Sequence, residues 1–297
     1  MRLLRRCLLL ALLWPLTAFA AGEILLTGAQ DSDGVQEFVQ ALRAKRPADQ
    51  VRFVPLAELP TPGQLKHDVR LILLDPQALD WRLREPAGPP ALVLRISRVQ
   101  AHQRLGDLRP AYLSLLWSDP PLARQLNLVR YLLPQARRVG VLYSEHSEFL
   151  IAELREAARP LGLEIDAQSW PDPRDNRPLQ TLLKDTDVLL GLDDPQLYNP
   201  KTAKNVLLSA YAREMALIGP NAGFVRAGAL ASTLSDQNAW LAVLDRLLDQ
   251  PAEKWPRTHY PEYFSVTGNQ QVARALGIEA IDPEAAHKAV TAGESSR

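Results

Sequence analysis

Arg138-Val139-Gly140-Val141-Leu142-Tyr143-Ser144 runs from a basic residue through a short apolar segment to a serine. It has no polar face between its first and last residues, which is the pattern of a strand buried on both sides between helices in a parallel sheet. Ser147 follows as a helix start, and Leu150, Ile151, Leu154 and Ala158 recur at helical spacing to give one apolar stripe. Buried strand, short polar turn and amphipathic helix together make one βα unit.

The same unit recurs in both directions along the chain. Strands are expected at residues 23–27, 51–55, 69–74, 91–96, 112–117, 138–143, 163–170, 188–192 and 216–219, most of them rich in successive Val, Ile or Leu. Helices are expected between them, placed by their capping residues. Ser32 or Asp33 would cap a helix carrying Val35, Phe38, Val39 and Leu42. Asp119 with Pro120 would start one burying Leu122, Leu126, Val129 and Leu133. Asn199 with Pro200 would start one burying Ala203, Val206, Leu207 and Ala210. Runs at 86–90 and 171–178 read as surface loops, and the chain after Pro283 as a frayed tail.

Arg2, Arg5 and Arg6, an apolar run from Cys7 to Leu16, and Ala18-Phe19-Ala20-Ala21 have the three-part order of a cleavable export signal. The run is shorter than the roughly 20 residues of a membrane span and is interrupted by Pro15. Cys7 is the only cysteine, so the exported chain would have no disulfide, no thiolate metal site and no cysteine nucleophile. Without the signal, 31 basic residues stand against 34 acidic ones, a balance that suits neither nucleic acid nor an anionic membrane surface. About 277 residues remain, more than one hydrophobic core usually serves, so two domains are expected with a boundary near 116–122.

Catalytic and cofactor motifs are not found. His67, His102, His146, His259 and His287 show no paired helical spacing, and there is no phosphate-cradling glycine loop, dinucleotide turn or nucleophile elbow. Asp31-Ser32-Asp33-Gly34 opens like a calcium loop but lacks the later acidic ligands. No metal and no cofactor are expected. Parallel sheets bind ligands at the C-terminal ends of their strands, which nominates Asp31, Ser97, Ser118, Ser144, Asp193, Asp194 and Asn221. Ser118, Ser144 and Ser147 serve equally well as helix caps. Asp193-Asp194 admits three roles: acid–base chemistry, contact with a ligand ammonium, or a turn.

Several stretches in the second half resemble the ABC-transporter substrate-binding family that includes the tryptophan-import binding proteins. They are Ser118-Asp119-Pro120-Pro121-Leu122-Ala123-Arg124-Gln125-Leu126, Leu132-Leu133-Pro134, and the stretch from Arg138 to Ser144. Asp194-Pro195 with Tyr198-Asn199-Pro200-Lys201-Thr202-Ala203, Val225-Arg226-Ala227-Gly228-Ala229-Leu230-Ala231, and the region from Phe264 to Gly277 continue the match in order. The resemblance covers roughly residues 110–280. Pro110 to Trp117 departs from the family's glycine-rich approach to the cleft, and an amino-acid ligand is implied only by analogy.

The resemblance implies an α/β fold of two Rossmann-like lobes, of the type I periplasmic binding protein kind, joined by three crossings of the chain. Residues 21–118 with about 225–280 would form lobe one, 119–224 lobe two, and 281–297 a flexible tail. It implies a monomeric periplasmic protein that is not an enzyme. This protein would hold a small-molecule ligand through Asp31, Ser97, Ser118, Ser144, Asp194 and Asn221 and dock on an inner-membrane ABC permease. Rival readings are a sensor docking on a membrane signalling receptor and a periplasmic enzyme using Asp193 or Asp194. A sugar-responsive repressor of similar architecture would need a DNA-binding helix pair in place of the export signal.

Intact-mass analysis of the protein recovered from a Gram-negative periplasm should give a chain beginning at Ala21. A chain retaining residues 1–20 would refute the export reading.

Overall fold

A computed structural model describes residues 22–295, so the export signal read at residues 1–20 lies outside the described residues. The chain begins with β1 (Glu23–Thr27), α1 (Asp33–Lys45), β2 (Gln50–Phe53), β3 (Arg70–Leu73), α2 (Pro76–Arg82), β4 (Ala91–Ile96), α3 (Arg98–Leu105) and β5 (Leu113–Trp117). It continues with α4 (Leu122–Leu132), β6 (Arg138–Tyr143), α5 (Leu150–Ala158), β7 (Glu164–Ser169), α6 (Arg177–Asp185), β8 (Val188–Leu190), α7 (Pro200–Tyr211), β9 (Ala216–Ile218) and α8 (Ala222–Ala227). The last elements are β10 (Ala231–Leu234), α9 (Gln237–Leu248), β11 (Thr258–His259), β12 (Ser265–Gly268), α10 (Gln270–Ala275) and α11 (Pro283–Ser295).

These strands form two six-stranded sheets, ordered β11-β5-β4-β3-β1-β2 and β12-β10-β9-β8-β6-β7. Every pairing is parallel except β10 with β12. Each sheet is covered on both faces, and β1 shows why its sequence has no polar side. Ile24 and Leu26 pack against α1 and α9, while Leu25 packs on the opposite face with Leu79 and Trp81 of α2. The second sheet is sandwiched in the same way, by α4, α5 and α11 on one face and by α6, α7 and α8 on the other. The two-lobed α/β architecture expected from the sequence is therefore present.

Three chain crossings join the lobes, at residues 118–121, 235–236 and 260–264, flanked by strands or helices of different lobes. Their number agrees with the resemblance, but the path differs from the expected return to lobe one over about 225–280. β10 stays in the second sheet, only α9 and β11 visit the first lobe, and β12 with α10 and α11 completes the second. Burial explains the excursion. Trp240, Leu241, Leu244, Leu247 and Leu248 of α9 fill the core beneath β1, β3 and β4, whereas Val266 and Ile281 belong to the core of lobe two.

The expected flexible tail is instead the packed helix α11. Ala286 and Val290 are fully buried against lobe two, and Arg124 of α4 pairs with Glu294 at 2.9 Å while stacking over Phe264 at 4.1 Å. Gly268 makes the approach possible, since a Cβ there would lie 2.8 Å from Ile281. The helix start expected at Asp119 also moves. α4 begins at Leu122 after Pro121, and the Asp119 carboxylate accepts from the backbone N–H of Arg98 instead, at 2.8 Å.

Deleting residues 283–297 should destabilise the protein by about 2 kcal/mol or more, the scale for exposing one buried aliphatic side chain. Chemical denaturation would measure it; an unchanged midpoint would mean that α11 contributes nothing.

Candidate functional site

The C-terminal ends of the parallel strands of both sheets carry the polar residues of the chain's candidate site, as the topology requires. On the lobe-two side, β8 is followed by Leu192-Asp193-Asp194, β6 by Ser144, and β9 by Pro220-Asn221. Gly191 lets the first and third of these turns touch, because a Cβ would sit 2.7 Å from the Pro220 ring.

Asp194 is fully buried and fully occupied. One carboxylate oxygen accepts from the Ser144 hydroxyl at 2.5 Å and the Ser147 hydroxyl at 2.6 Å, and the other accepts from the Gln196 backbone N–H at 2.9 Å. Ser144 and Ser147 are themselves fully buried, and the Ser144 N–H donates to the Ser147 hydroxyl. This network fixes the turns after β6 and β8 against each other, and a buried carboxyl group is tolerable there because both its oxygens are hydrogen-bonded. Ser147 lies one turn ahead of the helix that it was expected to start, since α5 begins at Leu150 and the hydroxyl serves Asp194 instead.

Asp193 and Asp119 form the second carboxylate group of this face. Together with Leu122, Gln125, Leu150, Leu190 and Pro220 they line a narrow, partly open recess of about 10 Å³. Burial pushes the Asp119 carboxyl up to about 7, helped by the charge of Asp193 and opposed by the Arg98 N–H. Burial likewise raises Asp193 to about 6; a hydrogen bond from the Asn221 side chain opposes the rise and the nearby Asp194 adds to it. The pair therefore sits close to its titration range at neutral pH, unlike an ordinary surface carboxylate.

Lobe one meets this face through the first turn of α3. Ser97 caps the helix by accepting from the Gln100 N–H at 3.2 Å, and its hydroxyl donates to the Asp193 carbonyl at 3.4 Å. Arg98 reaches across to Glu153 of α5 in a two-point pair at 2.8 and 2.6 Å, and His102 stacks on Phe149 with centroids 4.2 Å apart.

Farther along the same edge stands Arg95, a charged residue inside the otherwise apolar β4. The register between β4 and β5 shifts between Val93 and Ile96, and Arg95 has φ 56°, the left-handed region that a non-glycine residue adopts at a cost of roughly 1–2 kcal/mol. The bulge turns its side chain out of the sheet to an exposed position. Arg95 lines two adjoining cavities of about 410 and 520 Å³ that share Ser32, Val35 and Leu74. The signal in the sequence is a lone charge inside Ala91-Leu92-Val93-Leu94-Arg95-Ile96.

The nominated residues thus have different positions. Ser97, Ser144, Asp194 and Asn221 are brought together around Asp193 and the turns that support it. Ser118 follows β5 with its backbone N–H on the Ile96 carbonyl. Asp31 lies apart in lobe one, exposed and hydrogen-bonded to the Gln36 side chain at 2.6 Å.

A folded-state carboxyl held near 7 takes up a proton that the unfolded chain, titrating near 4, does not bind at the same pH. That contribution to stability is complete below pH 4 and is lost as pH rises through 7. Asp119→Asn should therefore raise the melting temperature at pH 8 by several degrees and give a distinctly smaller gain at pH 5. An equal gain at both values would contradict the raised carboxyl.

No protein-family model matches the chain, and no curated protein matches it. Among solved structures, the chain is similar to the ligand-free, open form of a substrate-binding protein with adhesive properties from Clostridium difficile. That match has a TM-score of 0.66 and 17% identity, over 88% of this chain and 97% of that one. It is also similar to a conserved domain protein from Vibrio cholerae, with a TM-score of 0.60 and 15% identity over 90% and 98% of the two chains. A third similar structure is an ABC domain in complex with L-Trp from Streptococcus pneumoniae, with a TM-score of 0.59 and 15% identity over 90% and 98%. These likenesses establish the fold of the chain as the two-lobed, type I periplasmic binding protein kind.

Proposed function

We propose that this chain is the solute-binding component of an ABC importer, exported to the periplasm, holding a small molecule between its lobes and presenting it to an inner-membrane permease. The observation that carries the reading is the placement of polar groups at the strand ends of both lobes, beside the three crossings. Arg95 with its cavities stands on one side, and the Asp119–Asp193 recess with Asn221 on the other. A ligand that touches both faces binds the closed arrangement better than the open one, which is what shifts a two-lobed protein towards closure.

The fold shared with a substrate-binding protein and with a protein holding L-Trp supports the same reading. In this account Ser97, Ser144 and Asp194 shape the site, while Asp193 and Asn221 on lobe two, Ser118 at the first crossing and Arg95 on lobe one supply contacts. Asp31 flanks the lobe-one cavities. An amino acid or a related compound is the proposed cargo class. A catalytic role for Asp194 is disfavoured by the saturation of both its oxygens.

The purified mature protein should show a saturable rise in melting temperature with one ligand class in a panel of amino acids, purines, small peptides and sugars. Binding to the folded state alone stabilises it by about 2.7 kcal/mol at a ligand concentration of 100 times Kd. Absence of a shift across the panel, in protein shown by native mass spectrometry to be ligand-free, would refute the reading.

A further inference from the structure

The two lobes differ in the sign of the charge that they offer. Lobe two presents carboxyls and hydroxyls, whereas the lobe-one cavities present a guanidinium that is unpaired among the described residues. The Arg95 side chain makes no hydrogen bond or ion pair among the described residues, although carboxylates stand nearby. Asp75 uses one oxygen for the Ala29 N–H and the other for the Ala78 N–H, and Asp31 is held by Gln36. The other guanidinium on the cavity wall, Arg104, is paired with Asp80 at 2.7 Å. A strained backbone that delivers an unpaired guanidinium to a cavity is a costly arrangement without a partner for it.

What adjoins Arg95 is informative about that partner. The 410 Å³ cavity is walled by Val35, Phe38, Leu74, Leu94 and Trp240, an apolar chamber between the first turns of α1 and α9. Both helices direct their N-terminal ends towards it through the caps at Ser32 and Asp236, and Ser32, Gly34 and Gln237 lie on its rim. Asp33 in the first turn of α1 and the Asp236 carboxylate, which accepts from the Ala239 N–H at 2.9 Å, already answer the partial positive charge of these helix starts, so the charge offered to a ligand here is that of Arg95. Arginine is suited to this task because its planar fork binds a carboxylate through two parallel bonds.

We infer that Arg95 is the residue that selects the ligand's charge, binding the carboxylate of a small molecule whose apolar, ring-sized body lies in the chamber of Phe38, Leu74 and Trp240. This inference rests on the solute-binding reading and adds to it the orientation of the cargo, with the acidic group and the apolar body both on lobe one. Lobe two then closes over whatever polar groups remain.

Isothermal titration with 3-phenylpropionate, 3-phenylpropanamide and 3-phenylpropylamine separates charge from shape, since all three share one apolar body. The acid should bind saturably, with the amide and the amine weaker by about tenfold or more, a factor equivalent to one lost charge-assisted contact. Arg95→Gln should remove the preference for the acid, and Arg95→Lys should retain part of it, with unliganded melting temperatures confirming that both variants fold. Equal binding of acid and amide, an undiminished preference in Arg95→Gln, or no binding of the acid would overturn the assignment. Saturable binding of a sugar or a cation that is indifferent to Arg95→Gln would overturn it while leaving the solute-binding reading intact.

Discussion

Arg98 is where the two halves of this molecule are tied. Its backbone N–H is held by Asp119 at the first crossing, its guanidinium grips Glu153 of the opposite lobe at 2.8 and 2.6 Å, and Tyr260 stands 3.5 Å away at the third crossing. Neighbouring Ser97 touches the Asp193 carbonyl, and His102, one turn along the same helix, stacks on Phe149. One helical turn of lobe one thus meets three separate segments of lobe two and its connections. The relative placement of the two sheet edges, and with it the shape of any site between them, follows from these contacts.

The electrostatics of the site follow from that placement. Asp119 is buried because it serves the Arg98 N–H at the junction, and burial with Asp193 beside it is what raises its carboxyl. Asp194, next to Asp193 in the chain, is held instead by two hydroxyls and a backbone N–H. Adjacent carboxylates in one turn therefore do different work, one locking strand ends together and the other facing the recess. Lobe one contributes the opposite sign through Arg95, which a bulge in β4 releases from an otherwise apolar strand.

Much of the fold was legible in the chain because strands buried on both faces need unbroken apolar runs. β1, β4 and β6 have the bounds expected of them, and the caps at Ser32 and Asn199 sit where their side chains can accept from first-turn N–H groups. The strands that escaped are those without such a run. β10 reads Ala231-Ser232-Thr233-Leu234, β12 reads Ser265-Val266-Thr267-Gly268, and β11 has two residues. Their absence from the pattern hid the return of the chain to lobe two. Asp193, Asp194, Ser144 and Asn221 were legible as neighbours because topology alone brings strand ends to one edge. Arg95 was not, since its exposure depends on a register shift that no spacing rule reports. Asp119 has the sequence position of a local helix cap, yet it serves the distant Arg98 N–H because Pro121 delays α4.

Ligand bound between the lobes should draw them together, and small-angle X-ray scattering of the mature protein would register that closure. The account predicts that a ligand identified by its saturable binding reduces the radius of gyration as the site fills. It further predicts that Arg95→Gln requires more ligand to reach the same compact form. A radius of gyration that stays constant through saturation would contradict closure around a ligand.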